Sequence, residues 1–239
     1  MRKILITNDD GIDAHGIKDL ARAALKYGEV WVIAPDGQRS AASHSITLRE
    51  SMYVYEDKDF GVEGVKAFKT TASPADCVRF GIRNFVKDVD VVFSGINNGY
   101  NIGSDIQYSA TVGAAMEAAT SKIRAIAFSQ SFDGDGYQEV TDKYLDQIIG
   151  ELIDAPLEDN QIWNVNFPNV SLSDFKGILR DRSVARNSFY IDSYKEEKLE
   201  DGGLKLTVWG DRNELTLEGT DFKALLDGYI SIGRVNNLR

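Results

Sequence analysis

The chain opens on an apolar strand, Lys3-Ile4-Leu5-Ile6-Thr7, that runs directly into Asn8-Asp9-Asp10-Gly11. A buried strand does not end in adjacent charges unless something nearby compensates them, because two neighbouring carboxylates disfavour joint ionisation. A bound divalent cation removes that conflict and puts both charges to use. An Asp pair at a strand end also reads as a helix N-cap with a solvated neighbour, so the rest of the chain has to decide.

Beyond Gly11 the chain alternates strand-like and helix-like segments. Residues 15–27 carry an apolar stripe at Ile17, Leu20, Ala21, Ala24 and Leu25 that fits a helix. Residues 29–34 form a second strand, stopped by the turn residues Pro35-Asp36-Gly37. Segments 46–55 and 65–71 read as extended. Ser73-Pro74 starts a helix through about Phe85, with Ser as N-cap and Pro at the first helical position. Residues 90–94 and 123–128 are further strands, separated by an alanine-rich helix over 109–120, and 137–153 is an amphipathic helix. Short apolar strands alternating with helices predict an α/β fold: a three-layer, Rossmann-like, mostly parallel sheet. The core is expected over 1–155. Residues 156–239 are expected to extend this single domain, with a protruding charged hairpin over 187–209, a helix over 221–226 and a closing strand over 229–235. Protruding hairpins often join subunits, which points to a C-terminal oligomerisation element.

Composition narrows the partners. The formal net charge of −10, with no basic stripe, argues against nucleic acid while leaving room for a small phosphorylated substrate. A single cysteine fits a reducing compartment, and no stretch approaches the eighteen apolar residues of a membrane span. The expectation is a soluble, cytoplasmic protein without a membrane partner.

In an open α/β sheet, ligands bind beyond the carboxyl ends of the strands. Three loops leave such ends rich in oxygen donors: Asn8 to Gly11, Asp36 to Ser45, and Ser94 to Asp105. Carboxylate, hydroxyl and amide oxygens suit a hard cation such as Mg²⁺ or Mn²⁺ better than zinc. Taken singly, the serine-rich loop reads as a plain loop and Asn97-Asn98-Gly99 as a turn. At successive sheet ends, the three together favour a metal or phosphate site.

These loops also carry a resemblance. Thr7-Asn8-Asp9-Asp10-Gly11-Ile12, Ala34-Pro35-Asp36 with Arg39-Ser40, Ser94-Gly95-Ile96-Asn97 and Tyr108-Ser109-Ala110-Thr111-Val112 resemble the SurE family of acid-phosphatase-like nucleotidases. So do Pro74 to Val78, Asn164 to Pro168, Gly219 to Phe222 and Gly228 to Ile232, in order along nearly the whole chain. The resemblance implies a divalent-metal-dependent phosphomonoesterase acting on nucleoside 5'-monophosphates, with 3'-monophosphates and short polyphosphate as further family substrates. It maps one metal ion per subunit, Mg²⁺ or Mn²⁺, onto Asp9, Asp10, Ser40 and Asn97. It also implies homodimers or homotetramers built by exchange of a C-terminal hairpin.

On that reading Asp9 and Asp10 are catalytic as well as ligating, and the nucleophile is either water or one of them. The helix beginning at Ser109 would aim its first amides at phosphate, with the Ser109 and Thr111 hydroxyls. Asn98, Asn101 and Ser104 are expected to contact phosphate or nucleoside. Arg39 either clamps phosphate or pairs elsewhere. His44 is either the donor of a proton to the leaving oxygen or a bystander, and His15 reads as structural. Two departures from the family pattern stand out: Ala41 and Ala110, where glycine is usual. Competing readings are a thiolate phosphatase at Cys77-x5-Arg83, a phospho-signalling receiver module, and a nucleotide binder without hydrolysis. The first lacks a glycine-rich phosphate cradle, the second a phospho-acceptor Asp where the chain has Ser94-Gly95, and the third a phosphate-binding glycine motif.

Overall fold

The computed structural model describes residues 1–131, 138–213 and 215–237. Its strands are β1 (Lys3–Thr7), β2 (Glu29–Pro35), β3 (Val54–Glu56), β4 (Lys66–Thr70), β5 (Val91–Asn98), β6 (Arg124–Gln130), β7 (Gln161–Phe167), β8 (Gly177–Leu179), β9 (Tyr190–Lys198), β10 (Leu204–Arg212) and β11 (Tyr229–Asn236). The helices are α1 (His15–Ala24), α2 (Pro74–Phe80), α3 (Ala110–Thr120), α4 (Glu139–Leu152) and α5 (Asp221–Leu226). The expected helix over 137–153 is thus α4; Tyr137 lies outside the described residues.

Nine strands form one sheet in the order β3-β4-β2-β1-β5-β6-β7-β11-β8. The pairs β4-β2, β2-β1, β1-β5, β5-β6 and β6-β7 are parallel, while β3 and β11 run antiparallel to β4 and β7. Because successive side chains point to opposite faces, Ile4 and Ile6 pack toward α1 and α4, and Leu5 packs toward α2 and α3. The three-layer α/β expectation holds. The chain winds outward from β1 to β2 and β4, then returns to place β5 on the other side of β1. The winding reverses between β1 and β5, and a crevice opens there at the carboxyl ends.

The sheet is continuous across position 155: β7, β11 and β8 extend it beyond β6. Among the described strands, only β9 and β10 stand apart from it, as a separate two-stranded hairpin. The segment 46–55 departs from its expectation, since only Val54–Glu56 is strand. The buried carboxylate of Asp76 accepts the Thr47 amide on both oxygens, at 3.1 and 2.9 Å, so this stretch is fixed to α2 instead of to a neighbouring strand. Asp76 also completes a capping box with Ser73 at the start of α2, as the Ser-Pro sequence suggests. Among the described residues, no helix is long and apolar enough to cross a membrane.

Close approach of backbones sets the crevice. A Cβ on Gly113 of α3 would lie 2.6 Å from the Ser43 carbonyl oxygen, so α3 and the loop after β2 touch through main chain. The Ser43 amide continues that contact by donating to the Tyr108 carbonyl at 3.0 Å. Gly113→Ala should therefore push the 40–47 loop away from α3. The expected cost is about 1–3 kcal/mol, a fall of roughly 3–10 °C in melting temperature, with faster proteolysis within 40–47. Unchanged melting and cleavage would show that the loop is not held this way.

Candidate functional site

Each of the three polar loops is tied to the end of β1. The Arg39 amide donates to the Asp9 carbonyl at 2.6 Å, bringing in the loop after β2. The Asn98 amide donates to Asp10 Oδ2 at 2.8 Å, bringing in the end of β5. Thr111 Oγ1, in the first turn of α3, donates to Asp9 Oδ1 at 2.6 Å. Residues far apart in sequence thus meet around two adjacent carboxylates. Gly11, at φ 98°, makes the bend that lets both face one crevice. An extra residue in β5 between Ser94 and Asn97 breaks the ladder with β6 and re-aims Asn97.

Electrostatically the pair is under tension. Asp9 is 3% exposed, and burial pushes its carboxyl up to about 6 against the opposing Thr111 hydrogen bond, with the Asp10 charge adding to the rise. Burial raises Asp10 as well, opposed by the Asn98 amide. Close by, Asn8 Oδ1 and Ser94 Oγ are buried with no hydrogen-bond partner among the described residues. Two strained carboxylates beside an unsatisfied amide oxygen form an acceptor-rich environment that a cation fits. Among the described residues, no group of three or more His, Cys, Asp or Glu gathers into a metal cage. Any ion here must complete its shell with hydroxyl, amide or water oxygens.

The remaining sequence candidates sort by geometry. Ser40 is exposed on the loop and accepts from Gln38 Nε2 at 3.0 Å. Asn97 Nδ2 donates to the Gly99 carbonyl at 2.8 Å, which turns its Oδ1 the other way. Ser109 Oγ caps α3 by accepting the Val112 amide at 3.0 Å. Asn101 is buried and spends its Nδ2 on Ser129 Oγ at 2.7 Å. Its backbone is gripped by Asn166 Oδ1, Asn166 Nδ2 and Asn164 Nδ2, so it holds the 97–105 loop in place. Ser104 joins the loop to the Asn187 carbonyl through its amide at 3.1 Å. The Arg39 guanidinium pairs with Asp36 at 2.8 Å, and the pairing alternative describes it.

His44 Nε2 lies 2.8 Å from Glu117 Oε2, and Arg79 Nη1 donates to Glu117 Oε1 at 3.1 Å. That buried carboxylate on α3 anchors the loop, and nothing in the sequence spacing announces it. Cys77 is fully buried in α2 and burial holds its thiol far above its ordinary value, while Arg83 is exposed. A thiolate phosphatase has no nucleophile there.

The arrangement defines a class: a doubly wound α/β protein with a carboxylate-pair site at the switch point of its sheet. The particular family emerges from comparison with known proteins. The model of the family "Survival protein SurE" matches residues 4–189. Two proteins named 5'-nucleotidase SurE, from Clostridium botulinum strains ATCC 19397 and Loch Maree, are 38% and 39% identical over 235 residues, spanning 96% of this chain and 90% of theirs. The crystal structure of the SurE protein from Aquifex aeolicus superposes with a TM-score of 0.83 at 32% identity, covering 99% of this chain and 94% of that one. The chain belongs to the SurE family.

The raised Asp9 carboxyl makes a signed prediction. Its folded value lies above the ordinary 3.8, so the protein in EDTA loses stability as pH rises from 3.8 to about 6 and carries the full cost above that. That cost is on the order of 3 kcal/mol. Asp9→Asn removes the charge and keeps an acceptor for Thr111. In EDTA at pH 7.5 it should melt several degrees above the parent, with the gap nearly closed at pH 4. Equal melting temperatures at both pH values would mean that Asp9 is not under strain.

Proposed function

We propose that this chain is a divalent-cation-dependent phosphomonoesterase that hydrolyses nucleoside 5'-monophosphates to nucleoside and phosphate. The observation that carries the reading is the Asp9–Asp10 pair, with Asp9 buried and bonded to the first turn of α3 and Asp10 half-buried beside it. The relatives named 5'-nucleotidase SurE support the choice of substrate. Extension to 3'-monophosphates and short polyphosphate belongs to the same reading and is weaker for polyphosphate, given the net charge of −10.

Asp9, Asp10, Ser40 and Asn97 would hold one Mg²⁺ or Mn²⁺, all through oxygen. Bound there, the ion supplies charge compensation for the phosphoryl oxygens and a lowered pKa for a ligated water. The protein's own contribution is positioning, which phosphoryl transfer mostly requires. Thr111 spends its hydroxyl proton on fixing the orientation of the Asp9 carboxylate, and the N-terminus of α3 with the Ser109 hydroxyl would meet the phosphate. Asn98 adds a polar group from the β5 loop, and Arg39 contributes a partly neutralised positive charge at the rim.

The test is phosphate release from nucleoside 5'- and 3'-monophosphates in Mn²⁺, Mg²⁺ and EDTA, with Asp10→Asn alongside. Release should need the metal and fall roughly 100-fold or more in the variant, with weakened Mn²⁺ binding by calorimetry. Release that survives EDTA and stops on thiol alkylation would return the chemistry to Cys77.

The reading includes self-association through the β9–β10 arm. Strand register puts Tyr190, Tyr194, Leu204, Leu206 and Val208, each 44–62% exposed, on one face of the hairpin among Asp192, Glu196, Lys198 and Arg212. The other face carries the Lys205–Glu197 ion pair and Lys195 over the Trp209 ring. A lone two-stranded hairpin is marginal in water, so exposed apolar side chains of this kind are suited to a second copy. Light scattering should find a dimer or tetramer, converted to monomer by Leu206→Lys with Val208→Lys. A monomeric parent would remove the arm from this role.

A further inference from the structure

The loop after β2 is held on both sides of Ser40. Upstream, the Arg39 amide is bonded to the Asp9 carbonyl. Downstream, residues 43 and 44 lie against α3, where a Cβ on Gly113 would come within 2.9 Å of His44 Cα. One turn further along the same helix face, Glu117 Oε2 meets His44 Nε2 at 2.8 Å. An ionised carboxylate only accepts, so the ring Nε2 carries the hydrogen of that bond. Among the described residues it is the loop's one side-chain hydrogen bond to α3.

A buried carboxylate is costly unless it is paired, and the Glu117 side chain is only 6% exposed. Arg79 on α2 supplies the second partner, donating to Oε1 at 3.1 Å. Between the two anchors the loop turns twice, with the Ala42 amide on the Arg39 carbonyl and the Ser45 amide on the Ala42 carbonyl. Ala41 and Ser43 both take the left-handed conformation, at φ 57° and 52°, so the segment has no relaxed way to slide. Ser40 stands where the anchors put it. The common frame is α3, because its Thr111 orients Asp9 and its Glu117 places the Ser40 loop. Those two residues are about 9 Å apart along the helix axis, a spacing that an intact helix cannot change.

We propose that the His44–Glu117–Arg79 link is a positioning element that sets which size of divalent ion the site prefers, by holding Ser40 in fixed register with Asp9. The inference rests on the metal-dependent phosphomonoesterase reading above, with Ser40 as a ligand. Mg²⁺ demands a near-ideal octahedron and Mn²⁺ accepts the same oxygen shell, whereas the larger Ca²⁺ takes more oxygens in a flexible arrangement. A stiff Ser40 loop therefore favours the small ion. Loosened, the loop deprives the small ion of a well-placed ligand, while Ca²⁺ completes its shell from water. His44 acts through Ser40 and touches no reacting atom.

The experiment measures Mn²⁺ binding by calorimetry, and displacement of bound Mn²⁺ by Ca²⁺, on the parent, His44→Ala, His44→Gln and Glu117→Gln. Glutamine carries an amide Nε2 at a reach close to that of the ring nitrogen, so His44→Gln can keep the bond to Glu117. Groups that orient metal ligands are commonly worth ten- to a hundredfold in metal affinity, so Mn²⁺ should bind roughly tenfold more weakly to His44→Ala and Glu117→Gln, and within about threefold of the parent in His44→Gln. At saturating Mn²⁺, the Ca²⁺ concentration that displaces half of it should fall by about the same factor in His44→Ala, because the affinity for Ca²⁺ itself hardly changes. Melting in EDTA reports on the fold separately. A link that only stabilised the loop would lower the melting temperature of His44→Ala and leave the preference between ions as in the parent, which would overturn the proposal. Equal losses for the two ions, or unchanged Mn²⁺ affinity in His44→Ala, would overturn it as well. Should Glu117→Gln not fold, the two His44 variants decide by themselves. A parent that binds Mn²⁺ but releases no phosphate would end the phosphomonoesterase reading and leave the ion comparison to judge this one. A parent that binds no divalent ion would remove both.

Discussion

The hydrogen bond from Thr111 Oγ1 to Asp9 Oδ1, 2.6 Å long, joins the N-terminus of α3 to the end of the central strand. It sets the orientation of a carboxylate that the fold has otherwise driven out of water. Without it, the desolvation that lifts Asp9 would be less opposed and the charged form rarer near neutral pH. The bond also fixes where the first amides of α3 point, and hence where a phosphate would sit relative to the acids. On the proposed reading, a site that needs both charges at neutral pH has been built where the chain resists holding them. That is the usual exchange of stability for function at a binding centre.

Around this bond, buried acids and amides act as clamps on backbone. Asp76 holds the Thr47 amide and fixes the far end of the Ser40 loop. Asp221 accepts from the amides of Gly103 and Ala185, at 3.0 and 2.9 Å, so that α5 steadies the loop leaving β5. Asp105 accepts from Phe189 at 2.9 Å, which ties the root of the β9–β10 arm to the same loop. The asparagine cluster of residues 101, 164 and 166 closes the set. Each of these contacts grips main chain, which removes loop freedom. Supporting contacts of this kind keep the groups that meet a ligand in register.

Local signals in the sequence are enough for the layers. The Ser73-Pro74 cap, the stripe of α1 and the apolar runs of β1, β2 and β5 act within a few residues of themselves and survive in the structure. The convergence of the three loops is legible for the same reason, since parallel strands deliver their ends to one edge. What escapes depends on partners far along the chain. Glu117 holding His44 and Ser129 taking the Asn101 amide are set by tertiary packing, which no spacing encodes. The segment 46–53 reads as extended because its residues favour strand. It loses that state to a side-chain acceptor on α2 that satisfies its backbone instead.

The two alanines that depart from the family pattern have different physical standing. Ala110 opens α3 with its methyl group fully buried, so the crevice keeps the backbone approach that glycine would offer. Ala41 sits at φ 57°, in the left-handed region, immediately after Ser40. An L-residue there costs about 1 kcal/mol, which glycine would not incur. The cost is borne because Arg39 is bonded to Asp9, Ser43 to Tyr108 and His44 to Glu117, so the loop has no freedom to relax. Strain held in this way keeps the Ser40 hydroxyl on a stiff turn rather than a mobile one.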